Sequence, residues 1–203
     1  MDSKNRRFLS AILAAGEGKR FGGNKLAAVL QGSGRTVIRQ VIEKALKGRA
    51  SRCAEGPWAI LVITNLVNMR TVPSTEGVEV LVNERYREGM SESVKIAIKE
   101  ALRRKAEGLF FFLGDMPFIS DQTIQSVSLK ALQEPEMIIR PRWQTIPGFP
   151  LYFPSRFFDR GLTIAGDQGL KSILKPLSES VRWIETIDSF CIKDIDRPSD
   201  LQN

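Results

Sequence analysis

Phe8-Leu9-Ser10-Ala11-Ile12-Leu13-Ala14-Ala15-Gly16-Glu17-Gly18-Lys19-Arg20-Phe21-Gly22-Gly23-Asn24-Lys25-Leu26 joins a short apolar run to a loop crowded with glycine and cations. Phe8 to Ala14 lacks the alternation of a strand with one wet face, so it predicts a fully buried parallel strand. The loop behind it can wrap backbone N–H groups around phosphates while Lys19, Arg20 and Lys25 neutralise their charge; the plainer reading is a flexible turn with solvated cations. Two phosphate-binding templates fail here. A Walker A loop places Lys where this chain has Asn24, and a dinucleotide fingerprint places its third glycine where this chain has Phe21.

Working outward, strand-like and helix-like stretches alternate. A helix is predicted from Thr36 to Lys47, with Val37, Val41, Ile42 and Ala45 on one face. Strands follow at Trp58 to Thr64 and Val78 to Asn83, then a helix from Ser91 to Lys105 with Ser91 as its N-cap. Leu109 to Leu113 is a buried strand that stops at Gly114-Asp115-Met116-Pro117, since proline cannot continue a central ladder. The remainder predicts a helix at Asp121 to Leu132, a strand at Met137 to Arg140, a Pro/Gly-rich turn at Pro141 to Pro150 and a strand at Leu151 to Phe153. A helix near Gly169 to Lys175 and a strand at Val181 to Glu185 complete the pattern. The order is α/β. Sheets of that class bind ligands beyond the carboxyl ends of their strands, which assigns the site to the loops after Ala14, Asn83 and Leu113.

With 203 residues and no clean linker, one domain is expected, 42% hydrophobic and able to bury roughly 70% of its unfolded surface. No apolar run approaches the roughly 18 residues of a membrane span, and no leader pattern is evident, so a cytoplasmic protein without membrane contact is expected. Cys53 and Cys191 are too few and too distant for a disulfide framework, and both are read as reduced thiols. A net charge of +7 favours anionic partners. The dense basic groups, Lys4 to Arg7 and Arg103 to Lys105, lack the interleaved aromatics of a base-stacking surface, so nucleic acid is not an expected partner. The chain contains no histidine, which removes Ser-His-Asp and Cys-His catalysis and histidine-bound zinc together. Its chemistry must use carboxylates, lysine, arginine and backbone amides, with or without a hard metal ion.

Leu13, Ala14, Ala15, Gly16, Arg20, Gly22 and Lys25 match the Leu-Ala-Ala-Gly-x-x-x-Arg-x-Gly-x-x-Lys signature of nucleotidyltransferases built on a Rossmann-like sheet. Gly89-Met90-Ser91-Glu92-Ser93, Leu113-Gly114-Asp115-Met116-Pro117, Gly166-Asp167-Gln168-Gly169 and Asp194-Ile195-Asp196-Arg197-Pro198-Ser199-Asp200 follow in the same order as in the molybdenum cofactor nucleotidyltransferases, which the chain resembles from residue 11 to 200. The resemblance implies a three-layer sandwich with a mostly parallel central sheet, of the nucleotide-diphospho-sugar transferase type. It implies a single domain over residues 1–203, with a nucleotide half about 8–120 and an acceptor half about 121–203.

The implied reaction joins CMP, or less readily GMP, from a nucleoside triphosphate to molybdopterin cofactor with release of pyrophosphate. Ala15, the Lys25-Leu26 pair and the Gly-Met-Ser segment resemble the cytidylyltransferase branch and favour CTP. The resemblance makes Arg20, Lys25 and Asp115 catalytic. It places Leu13, Ala14, Ala15, Gly16, Gly18, Gly22, Asn83, Ser91, Ser93 and Gly114 around the nucleotide, and Asp115, with Asp194 or Asp196, on Mg2+ or Mn2+. For Asp115 the alternative is a turn-forming residue, for Ser91 and Ser93 an ordinary helix start, and for Asp167 a cap on the next helix. Glu17 is expected to face solvent. Trp143 and Phe149 are candidates to flank a flat pterin-like acceptor, or else pack locally. Two departures fall in the acceptor half: Phe149 stands where the family commonly has histidine, and Leu170-Lys171 where it has Ala-Arg. Another phosphorylated acceptor, such as a sugar phosphate or phospho-lactate, or a non-catalytic nucleotide-binding relative, therefore stays open. So does a molybdoenzyme or chaperone as protein partner.

Overall fold

β1 (Phe8–Ala14) sits near the middle of one mixed sheet, and its side chains feed two separate cores. The computed structural model describes residues 7–48 and 59–202. In chain order follow α1 (Val37–Lys47), β2 (Ile60–Thr64), β3 (Val78–Val82), α2 (Met90–Arg103), β4 (Gly108–Leu113), α3 (Asp121–Gln133), β5 (Ile138–Trp143), β6 (Ile146–Pro147), β7 (Leu151–Pro154), α4 (Phe158–Leu162), α5 (Lys171–Leu174) and β8 (Val181–Thr186). The sheet runs β3-β2-β1-β4-β7-β5-β6, with β8 beside β5. β1 to β4 are mutually parallel, β8 is parallel to β5, and β7 runs antiparallel to both β4 and β5. This is an α/β Rossmann-like fold. Among the described residues no helix is long and apolar enough to cross a membrane.

Alternation along the strands decides which helix covers which face. Phe8 and Ile12, with Phe110 and Phe112 of β4, pack on Val37, Val41 and Ile42 of α1 and Ile124 and Val127 of α3. Leu9 and Ala11, with Phe111, pack on Val94, Ala97 and Ile98 of α2 and Phe158 of α4. Each such Val, Leu, Ile or Phe side chain contributes about 1.5–3 kcal/mol when fully buried. Thr36 caps α1 by accepting from Arg39 N at 3.4 Å, and Ser120 caps α3 by accepting from Thr123 N at 3.1 Å.

Three expectations are corrected. α2 begins at Met90 with Gly89 as its N-cap residue, so Ser91 lies inside the first turn and is buried rather than capping. The 141–150 segment is not a single turn: β5 runs through Pro141 to Trp143 and folds back as β6. Proline is tolerated because β5 changes neighbour there, from β7 at Ile139 to β6 at Arg142, so no ladder donor is required on that edge. The helix expected near Gly169 to Lys175 shrinks to Lys171–Leu174, while α4 was not anticipated, its short span around Gly161 offering no helical period. Trp58 and Cys53 lie outside the described residues; Cys191 is buried and unbridged.

From β1 the chain crosses to β2 on one side, while β4 returns on the other, so the loops after Ala14 and Leu113 meet where the strand order reverses. Gly114 N donates to Leu13 O at 2.9 Å, locking the two loops together.

Candidate active site

The glycine loop is held by its carbonyls. Thr64 Oγ1 and Asn68 Nδ2 each donate to Ala14 O at 3.2 Å, Asn65 Nδ2 donates to Ala15 O at 2.8 Å, and Asn68 Nδ2 also reaches Gly16 O at 3.0 Å. Among the described residues, no protein acceptor meets the N–H groups of Gly16, Glu17 and Gly18, so the loop presents the polarity an anion needs. A short 3-10 turn, Lys19–Phe21, lies between Gly18 and Gly22, both left-handed at φ 62° and 76°, and carries Arg20. A second, Lys25–Ala27, is capped by Asn24 Oδ1, which accepts from Leu26 N at 3.2 Å and carries Lys25 inward.

Gly114 is glycine because a Cβ there would stand 2.9 Å from the Ala14 Cβ, and that close approach puts Asp115 opposite Lys25. Lys25 Nζ donates to Asp115 Oδ2 at 2.6 Å and to Ile195 O at 2.9 Å, and lies 3.9 Å from Asp196 Oδ1. Arg20 Nη1 donates to Asp196 Oδ2 at 3.0 Å. The final segment is fixed in turn by Ile195 N, which donates to Asp115 O at 2.9 Å. Burial pushes the Asp115 carboxyl above its ordinary range; the Lys25 ammonium pulls the other way and the Asp194 carboxylate adds to the rise.

Gly16, Gly18, Arg20, Lys25 and Asp196 line a cavity of about 710 Å³, and Asp115 is joined to it through its hydrogen bond from Lys25. Arg87 joins from the turn before α2, and Glu17, instead of facing solvent alone, bridges Arg87 at 3.1 Å and Lys19 at 2.9 Å. Asp167 also lines the cavity and does not cap α5, whose N-cap residue, Leu170, makes no side-chain bond. The Gly166–Gln168 turn can approach α2 because Gly89 lacks a Cβ, which would collide with the Gly166 backbone. Beside it, sharing Asp167, a smaller cleft of about 170 Å³ is lined by Phe149 and Arg140. Trp143 lines neither cavity, whereas Phe149 lines the smaller one.

Of the expected site residues, Arg20, Lys25, Asp115 and Asp196 converge, with Gly16 and Gly18 beside them in the cavity and Gly22 ending the turn that carries Arg20. Leu13, Ala14 and Ala15 act through backbone: Leu13 packs on the α2 core, while Ala14 and Ala15 are buried. Asn83 Nδ2 donates to Ser93 Oγ at 2.9 Å and Asn83 Oδ1 accepts from Arg85 N at 3.0 Å, so this pair ties the β3 end to α2 away from the cavity wall. Ser91 Oγ is buried and has no hydrogen-bond partner among the described residues. Asp194 faces a separate groove with Phe118 and Phe190.

Among the described residues no three or more acidic, histidine or cysteine side chains group to hold a metal. Asp115 and Asp196, both on Lys25, instead suit a hard divalent cation that takes one or two carboxylates and draws its other oxygens from phosphate and water. Sequence reasoning missed Asn65, Asn68, Arg87 and Arg140. The first two had a signal, two asparagines within four residues of the end of a fully buried strand, where a buried amide must find partners.

A family model described as the MobA-like NTP transferase domain matches residues 10–181. No curated protein matches the chain in sequence. The fold is similar to that of Rv0371c from Mycobacterium tuberculosis H37Rv, at 21% identity over 96% of this chain and 95% of that one with a TM-score of 0.76; a structure of that protein complexed with manganese superposes at 0.73. It is also similar to a nucleotidyl transferase from Methanothermobacter thermautotroptrophicus, at 17% identity over 97% and 94% of the chains with a TM-score of 0.74. A third likeness is to a 4-diphosphocytidyl-2C-methyl-D-erythritol synthase from Anaerococcus prevotii, at 12% identity over 97% and 93% with a TM-score of 0.69.

Proposed function

The chain belongs to the MobA-like NTP transferase family, and from that premise we propose that it transfers CMP from CTP to molybdopterin cofactor, with Mg2+ as the working ion. The family makes it a nucleotidyltransferase acting on a nucleoside triphosphate; the base, the acceptor and the ion are the proposed part. The observation that carries the reading is the convergence of Lys25, Asp115 and Asp196 at the mouth of the glycine loop.

In the transfer, an acceptor phosphate oxygen attacks the α-phosphorus in line, a new P–O bond forms, and the bond to the β-phosphate bridging oxygen breaks to release pyrophosphate. Two anions meet, so positioning and charge neutralisation dominate. The free N–H groups of residues 16–18 and the Arg20 guanidinium hold the outgoing phosphates. Lys25 stands at the α-phosphate, where negative charge grows in the transition state. Asp115 and Asp196 would hold the divalent ion, which when bound neutralises phosphate charge and fixes the triphosphate's path. Manganese in the related Rv0371c structure supports a divalent ion of this hardness. Ala15, Lys25-Leu26 and Gly89-Met90-Ser91 support CTP by resemblance. A second reading keeps the chemistry and changes the acceptor to another phosphorylated metabolite; the departures from the family pattern at Phe149 and at Leu170-Lys171 are what favours it.

The test is pyrophosphate release with Mg2+ and molybdopterin cofactor, offering CTP, GTP, ATP and UTP separately. Release with CTP alone is expected. GTP alone overturns the base, and silence with all four, from folded protein that binds a nucleotide, overturns the acceptor.

A further inference from the structure

Arg140 is 7% exposed, on β5, and no carboxylate among the described residues lies within ion-pair distance of it. Its N–H groups are met by two carbonyls instead: Nε donates to Gly148 O at 2.8 Å and Nη2 to Pro147 O at 3.4 Å. Carbonyls satisfy hydrogen bonds but supply no counter-charge. A buried charge left this way is costly, and a well-packed apolar side chain would hold the same place at less cost. The guanidinium also lies over the Phe149 ring, 5.4 Å from its centroid, and both line the 170 Å³ cleft. Leu151 and Leu170 form apolar walls, Lys171 adds a second cation, and Asp167 forms the wall shared with the larger cavity.

We propose that Arg140 and Phe149 form the subsite that selects the acceptor's far end, taking a flat ring that carries an anionic or carbonyl oxygen. This rests on the nucleotidyltransferase reading and deepens it. The cleft is smaller than the roughly 300–1,000 Å³ that encloses a whole drug-sized ligand, so it takes one end of the acceptor and leaves the phosphate in the larger cavity. The aromatic face selects flatness and the buried cation selects oxygen. Burial lowers the Arg140 pKa only to about 10, and the Cys191 thiol that faces it is itself pushed up to about 11; Arg140 therefore carries a full positive charge at neutral pH.

The experiment titrates pterin-6-carboxylate, 2-phospholactate and Mg-CTP separately into wild type, Arg140→Met and Arg140→Lys, with a thermal melt of each. The pterin should bind wild type, lose at least about tenfold in affinity in Arg140→Met and recover in part in Arg140→Lys, while CTP affinity and melting temperature hold. Unchanged pterin affinity in Arg140→Met overturns the proposal, whether or not the melt falls, and a fall would mark Arg140 as a strut for the 147–148 carbonyls. A wild type that ignores the pterin, or binds phospholactate as tightly, also overturns it. Should Arg140→Met not fold, Phe149→Leu and Lys171→Gln read the same subsite, with several-fold losses expected and unchanged affinity overturning it. Failure of the transferase reading shows separately, as absent CTP binding and pyrophosphate release, while the pterin titration stands.

Discussion

The Lys25 ammonium donates to the Asp115 carboxylate at 2.6 Å across 90 residues of sequence. Each neutralises the other and holds it at the cavity's edge. A triphosphate arriving with a divalent cation brings the same two charges, so Lys25 can turn to phosphate and Asp115 to the ion without leaving either one buried and unpaired.

Asp115→Asn keeps an oxygen for Lys25 and should melt within a few degrees of wild type. Its metal-dependent pyrophosphate release should fall at least about a hundredfold. Turnover at the wild-type rate would take Asp115 out of the metal site.

Lys25→Met removes the charge nearest the proposed α-phosphate and strands Asp115. Turnover should drop by about 10²–10⁴-fold and stability by about 2 kcal/mol, read by single-turnover kinetics and urea unfolding. A severalfold loss of rate would detach the glycine loop from catalysis.

Asn68→Ala frees the Gly16 carbonyl and leaves the Ala14 carbonyl to Thr64 Oγ1 alone. We expect about 1–3 kcal/mol of lost stability and about a tenfold rise in the KM for the triphosphate, with Asn68→Asp worse because it sets a carboxylate against two carbonyl oxygens. An unchanged KM would show that the loop holds its shape without these bonds.

Much of this arrangement was legible in the sequence, for identifiable reasons. β1, β4 and α1 were read nearly to the residue because their apolar runs and periods are set by burial alone, and Arg20, Lys25 and Asp115 stood out because glycine punctuates the loops that carry them. The antiparallel return of β7 was not legible: Leu151 to Phe153 reads as a strand in either direction, and its pairing with Phe111, Phe110 and Leu109 depends on contacts far away in the chain. Arg140 escaped for a related reason. In sequence it is one more cation among thirty basic residues, and only the sheet shows that it is buried without a counter-ion.

Ser91→Ala removes a buried hydroxyl that has no partner among the described residues, so the variant should melt no lower than wild type. CTP binding should weaken about fivefold, because a ligand is what that hydroxyl is expected to meet. Equal affinity by calorimetry would remove Ser91 from the nucleotide contacts.

Glu100 is held down to about 2, first by its hydrogen bond from Arg103 and also by Arg104, against burial. A depressed carboxylate contributes stability above its unfolded pKa near 4.5 that is lost as pH falls towards 2. After solvent screening this is about 1 kcal/mol. Glu100→Gln should therefore unfold more readily at pH 7 and match wild type near pH 2, and a gap that persists there would assign the effect to packing.

Ile195 and Asp196 come back from far down the chain to grip Lys25, near its start, and Leu201 O accepts from Gln31 N at 3.2 Å. During synthesis the glycine loop, β1 and β4 leave the ribosome long before this strap. A growing chain can thus lay down its sheet and bury its phenylalanines while the pocket is still missing a wall. The pocket is complete only once these late residues are in place, so a half-made chain lacks the carboxylate and the carbonyl that fix Lys25.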